Sequence, residues 1–315
     1  LGRYIDAGKM DSGADYEVRA AVDRETGQEV VLKRPVPQMV SRQMHGGTEA
    51  RTDRTLQVYR EVGYSIPGMV PILGYTDRAV HDGYFGESLG QEYRVTVEER
   101  AAGIPLFIGD PRARITRVPV GAAQNLFALF ALVRPDCHPA FPIHRQLLDL
   151  EERFNEAGYL LLDLRPQNIF FQPSTGRITV IDYGGLAIKD SELGSPRKNF
   201  QDIHDFFLEV LKFYTTPAKP PAEADGYRDP YGLRPVVRFE EELDEMAQRF
   251  SAAEGPVRDG ALSIIRKVHD RAYPCIGDFR PDLVSYLEAV AECNSVLPKE
   301  APERLAWYEA LGWLR

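Results

Sequence analysis

Two carboxylates and a carboxamide stand out in the middle of the chain. The run Leu161-Leu162-Asp163-Leu164-Arg165-Pro166-Gln167-Asn168-Ile169-Phe170-Phe171 is followed by Val180-Ile181-Asp182-Tyr183-Gly184. Asp163, Asn168 and Asp182 each interrupt apolar sequence beside a short strand-like run. Hard divalent cations such as Mg²⁺ prefer oxygen donors of this kind. A carboxylate and an amide at the ends of neighbouring strands can hold metal without competing for one position. Upstream, Lys33 closes the strand-like segment Glu29-Val30-Val31-Leu32-Lys33, where a compact, mobile ammonium can meet an anion. The bland alternatives are an Asp-Pro-Asn turn between apolar strands and a strand-end lysine facing water.

The pattern resembles the catalytic and metal-binding loops of the protein-kinase superfamily, usually written H-R-D-L-K-P-x-N and D-F-G. The resemblance implies Asp163 as the catalytic aspartate, Arg165 in place of the loop lysine, Asn168 as second metal ligand and Asp182 as the principal one. Asp163 would orient a hydroxyl and receive its proton late, because an ordinary Asp with pKa of about 3.9 is a poor base. Val18, Val31 and Lys33 resemble the strand valine, the alanine position and the ATP-pairing lysine of V-A-I-K, which makes Lys33 the partner of the α- and β-phosphates. Its own partner is expected on the following helix, at Glu49 or, as the competing choice, Glu61. The hinge resemblance lies at Glu99-Arg100-Ala101-Ala102-Gly103. Backbone groups from Glu99 to Ala101 would receive adenine, with Glu98, or Val97 if the register shifts by one, lining the pocket. The implied cofactors are ATP and Mg²⁺, with Mn²⁺ as a substitute.

Several positions depart from the family pattern. Asp11, Gly13 and Tyr16 stand where G-x-G-x-x-G has its glycines, with Gly8 nearby. Gly13 alone keeps the close backbone approach to phosphate, and Asp11 would repel phosphate unless it turned outward. Leu161 and Leu162 replace His and Arg. No A-P-E segment occurs, and the stretch from Asp182 to Asp202 is too short for a full activation and peptide-docking segment. Asp202 resembles the helix aspartate that braces the catalytic loop, and Asp278-Phe279-Arg280-Pro281 resembles the D-x-x-R-P start of a late helix. The leading expectation is an atypical serine/threonine protein kinase that transfers the ATP γ-phosphate to a hydroxyl of an unidentified protein. A small-molecule kinase and a non-catalytic pseudokinase acting as a binding module are the alternatives.

These residues need elements to hold them. Arg24-Glu25-Thr26-Gly27 is a hairpin signal between two strand-like segments, and Pro35 stops the second. Residues 48–62 lack Gly and Pro and can form a helix. A second hairpin is expected from Met69–Leu73 to Tyr93–Val97. Helices are expected over 122–133, 144–158 and 304–313, with one beginning at Leu106-Phe107. Short strands are expected at Ile169–Phe171 and Ile178–Ile181. The whole reads as α+β, a bilobal protein-kinase-like fold with a β-rich N-lobe over 1–98, a hinge over 99–103, a mainly helical C-lobe over 104–296 and a helical extension over 297–315.

Composition narrows the classes. The 315 residues carry 38 Lys plus Arg against 47 Asp plus Glu, a net charge of −9, which argues against a nucleic-acid partner. Cys137, Cys275 and Cys293 are too scattered for a disulfide framework. No run approaches the roughly 18 apolar residues of a membrane span. Leu1–Asp6 has neither an initiator Met nor a secretory pattern, so the expectation is a trimmed chain with cytoplasmic residence.

Overall fold

A computed structural model describes residues 1–12, 16–36, 48–62, 66–108, 118–119, 142–172, 175–182, 186–188, 202–215, 239–251 and 255–295. The chain divides into two compact units. The first is Leu1–Ala101 with Asp182–Gly184, the second Ala102–Ile181 with Gly185–Arg315.

The first unit is built on an antiparallel sheet of β1 (Tyr4–Ser12), β2 (Tyr16–Asp23), β3 (Glu29–Pro35), β4 (Ile72–Tyr75) and β5 (Thr96–Glu99). Their spatial order is β1-β2-β3-β5-β4. The β2–β3 hairpin closes where the sequence signals it. Gly27 adopts φ 71° and donates its amide to Asp23 O at 2.8 Å, in a left-handed conformation that costs glycine nothing. Side chains alternate across a strand, so Val30, Leu32 and Arg34 of β3 share one face. Val30 and Leu32 join Ala21, Phe85, Tyr93, Val95 and Val97 in the core. Arg34 is buried there because Glu17 accepts its Nη2 at 2.8 Å and Phe85 offers its ring 4.6 Å from the guanidinium. Val31 and Lys33 must then face the other side of the sheet.

Helix α1 (Thr48–Glu61) follows β3, and a single turn, α2 (Asp82–Phe85), sits in the β4–β5 connection. The strands of this second hairpin lie a few residues later than expected. Tyr93 lies outside the strand and pairs with Ala79 through an isolated bridge, while its ring and Val95 fill the core.

In the second unit, β6 (Ile104–Pro105), β10 (Ile169–Gln172) and β11 (Arg177–Val180) form a three-stranded sheet in the order β11-β10-β6. The expected helix at Leu106-Phe107 is not there. Leu106 gives its amide to Ile169 O at 2.8 Å, and β7 (Phe107–Ile108) pairs with β8 (Val118–Pro119). Strand pairing takes the backbone donors that a helix would need. Helix α3 (Pro142–Glu156) precedes β9 (Tyr159–Leu161), which pairs with β12 (Leu186–Ile188). Helices α4 (Ile203–Tyr214), α5 (Phe239–Phe250), α6 (Gly255–His269) and α7 (Ile276–Ser295) complete it. Every residue of α4 is buried, as expected of a helix packed on all sides. The helices expected over 122–133 and 304–313 lie outside the described residues. No helix among the described residues is long and apolar enough to cross a membrane.

Candidate functional site

Lys33 faces a pocket lined by Tyr16, Lys33, Thr52, Thr55, Thr96, Glu98 and Asp182, all of the first unit. Register explains the grouping. Lys33 lies opposite Val18 on β2 and Thr96 on β5, and Val31 lies opposite Ala20 and Glu98. Val18, Val31, Lys33, Thr96 and Glu98 therefore share the face turned from the core. Lys33 Nζ sits 2.7 Å from Glu98 Oε2, with side chains 12% and 6% exposed. Burial works against the lysine's charge, but Glu98 and then Asp182 outweigh it and hold the ammonium above its ordinary range. Burial pushes Glu98 up against the pull of Lys33, and the like charge of Asp182 adds to the rise. One cation thus stands beside two carboxylates.

The sequence placed the lysine's partner on the helix, at Glu49 or Glu61; among the described residues, Glu98 on β5 pairs with it. Glu61 is exposed and accepts a hydrogen bond from Gln57 at 2.9 Å. The Glu49 side chain lies outside the described residues, as does Gly13. Among the described residues of α1, Thr52 and Thr55 line the pocket, three apart on one helix face. Thr52 Oγ1 lies 2.8 Å from the Tyr16 hydroxyl. The signal for Glu98 was its position, a carboxylate on a strand otherwise made for packing. At the hinge, the Glu99 amide is already given to Pro71 O at 2.9 Å, Arg100 pairs with Glu29 at 2.9 Å, and Ala101 is half-buried.

In the second unit, the loop between β9 and β10 gathers Asp163, Arg165 and Asn168. Asp163 adopts φ 65°, a left-handed conformation that costs a non-glycine residue about 1–2 kcal/mol. Arg165 Nε lies 2.5 Å from Asp163 Oδ1, and its Nη2 donates to Oδ2 at 2.8 Å. Asn168, buried, donates Nδ2 to Asp163 O at 3.1 Å, which leaves Oδ1 as its acceptor end. Asn168 O accepts the amide of Ile181 at 2.9 Å, tying the loop to the residue just before Asp182.

The brace beneath this loop differs from the expected one. Asp202 caps α4, accepting from His204 N at 2.7 Å and pairing with Arg271. Glu209, two turns along α4, holds the loop instead, accepting the Leu164 amide at 2.9 Å, while the Tyr214 hydroxyl donates to Leu164 O at 2.6 Å. Burial, then the charge of Asp163, push Glu209 up to about 8, against the pull of the Leu164 amide. The sequence signal was a lone acid inside an apolar helix, Phe206-Phe207-Leu208-Glu209-Val210-Leu211.

Among the described residues, no group of three or more His, Cys, Asp or Glu side chains is placed to hold a metal alone. The donor set suits Mg²⁺ arriving with a nucleotide, since that ion keeps waters and phosphate oxygens and needs only one or two protein ligands.

No family model and no curated protein matches this chain. Among solved structures the chain is similar to the crystal structure of Rad53 1-466 in complex with AMP-PNP, at 19% identity and a TM-score of 0.38. The match covers 59% of this chain and 40% of that one. It is a distant likeness of fold alone.

Proposed function

We propose that the chain is a Mg-ATP-dependent phosphotransferase of the protein-kinase type, acting on a serine or threonine hydroxyl of a protein. The observation that carries this reading is the buried, charged Lys33 with Asp182 on the wall of the same pocket. A lysine so placed can meet phosphate oxygens while the nearby acid takes the metal. Asp182 would be the principal protein ligand of Mg²⁺ and Asn168, through Oδ1, the second, and the ion would supply neutralisation of charge on the phosphates. Asp163, presented by its left-handed backbone and gripped by Arg165, orients the acceptor hydroxyl. The hydroxyl oxygen bonds to the γ-phosphorus as the bond from phosphorus to the β,γ-bridging oxygen breaks. ADP leaves, and the hydroxyl proton passes to the Asp163 carboxylate.

One observation favours a second reading, a non-catalytic binding module. Among the described residues lining the pocket, two carboxylates, Glu98 and Asp182, stand against one ammonium, a balance that repels nucleotide phosphate unless a cation comes with it. Calorimetric titration of ATP with and without Mg²⁺, paired with transfer of labelled γ-phosphate to a protein extract, separates the two. The phosphotransferase reading expects Mg²⁺-dependent binding that Asp182→Asn weakens strongly. Asp163→Asn should leave binding nearly unchanged and lower turnover by about 10²-fold or more, the range of positioned acid–base groups. Binding that ignores Mg²⁺ in all three proteins, with no label transferred, points to the module.

A further inference from the structure

The pairing of Lys33 is made within the sheet. β3 and β5 are hydrogen-bonded neighbours, and their register sets Lys33 opposite Thr96 and Val31 opposite Glu98. Lys33 and Glu98 are therefore diagonal neighbours on one face, a spacing that long side chains bridge, and their charged ends meet at 2.7 Å. The described face of α1 offers this pocket hydroxyls, Thr52 and Thr55, and the Tyr16 hydroxyl engages Thr52 at 2.8 Å. A one-residue slip between adjacent strands would turn every side chain of the slipped strand to the opposite face, so strand register fixes the contact of Glu98 with the lysine.

We propose that Glu98 is the positioning residue of Lys33, holding its ammonium toward the nucleotide phosphates from within the sheet. The role in transfer rests on the phosphotransferase reading; the pairing itself does not. Glu98 touches no reacting atom. Its carboxylate, 2.7 Å from Nζ, fixes the extended direction of the Lys33 side chain in a buried place. Because strand register sets the contact, displacement of α1 leaves Lys33 anchored.

Two measurements on the full chain test this. In the first, urea unfolding is followed for Lys33→Met, Glu98→Leu and the double variant. Two side chains in contact are energetically coupled, so the double variant should lose less stability than the sum of the two single variants. Additive losses overturn the pairing. In the second, phosphoryl transfer is measured as kcat and as KM for ATP. Glu98→Gln should lower kcat at least about tenfold with KM within about threefold, the signature of a contact that matters in transfer rather than in ground-state binding. Glu98→Asp should recover part of the loss. Turnover of Glu98→Gln within twofold of the parent chain overturns the positioning role, the more so if Glu49→Gln is the variant that fails. A parent chain without turnover sinks the phosphotransferase reading and Glu98's part in transfer, while the unfolding cycle still decides the pairing.

Discussion

Asp163 is the residue where local cost and chemistry meet. Its φ of 65° is a conformation that bulky side chains avoid and glycine adopts freely. The surrounding bonds to Leu164 from Glu209 and Tyr214 hold it there. Asp163→Gly should therefore change stability by less than about 1 kcal/mol while abolishing transfer, whereas Asp163→Val should lose about 2 kcal/mol or more; urea midpoints and labelled-phosphate assays check both. Asp163, Arg165 and Asn168 were legible because polar residues at fixed spacing broke an apolar run. The contact of Glu98 with Lys33 was not, because a cross-strand pair depends on register, which a list of residues does not contain. Asp202 was read as a brace although Asp202 and Asp205 carry the pattern of a capping box, with each side chain bonded to the other's end of the turn.

Strands and helices were legible where the local pattern had no rival. The β2–β3 hairpin has a glycine at its turn and a proline at its end, and α1 fills a stretch free of both. The segment after the hinge failed as a helix because its backbone is claimed from outside, by Ile169 and by β10. Gly103 shows how close that approach is. It adopts φ 95°, and a Cβ there would lie 2.3 Å from Phe171 O. Gly103→Ala should cost about 2 kcal/mol or more, since neither strain nor clash has a flexible side chain to absorb it, and thermal unfolding would show it. Helices α3 and α4 also set a pH response. Glu209 at about 8 in the folded chain against 4.5 ordinarily binds a proton that the unfolded chain releases, so its contribution is lost as pH rises from about 5 through 8. His144, donating Nε2 to Tyr214 O at 2.8 Å, is pushed by burial down to about 4 from 6.5, so its contribution is lost as pH falls through that window. The urea midpoint should peak between the two. Glu209→Gln, which keeps an acceptor for the Leu164 amide, should flatten the alkaline limb and leave the acid one.

For the whole molecule, the α+β character was plain from a strand-rich first hundred residues and a helical remainder. Periodicity is a local property, however, and membership of a unit is not. Asp182–Gly184 belongs with the first unit although the chain on both sides belongs to the second. This places the pocket on a timetable. During synthesis the five strands, Lys33 and Glu98 are all made by residue 99, while Asp182 follows about 80 residues later, a delay of roughly 4–16 s at about 5–20 residues per second. For that interval Lys33 and Glu98 stand as a balanced pair. Asp182, the second carboxylate of the described lining, is the last of the three to emerge from the ribosome.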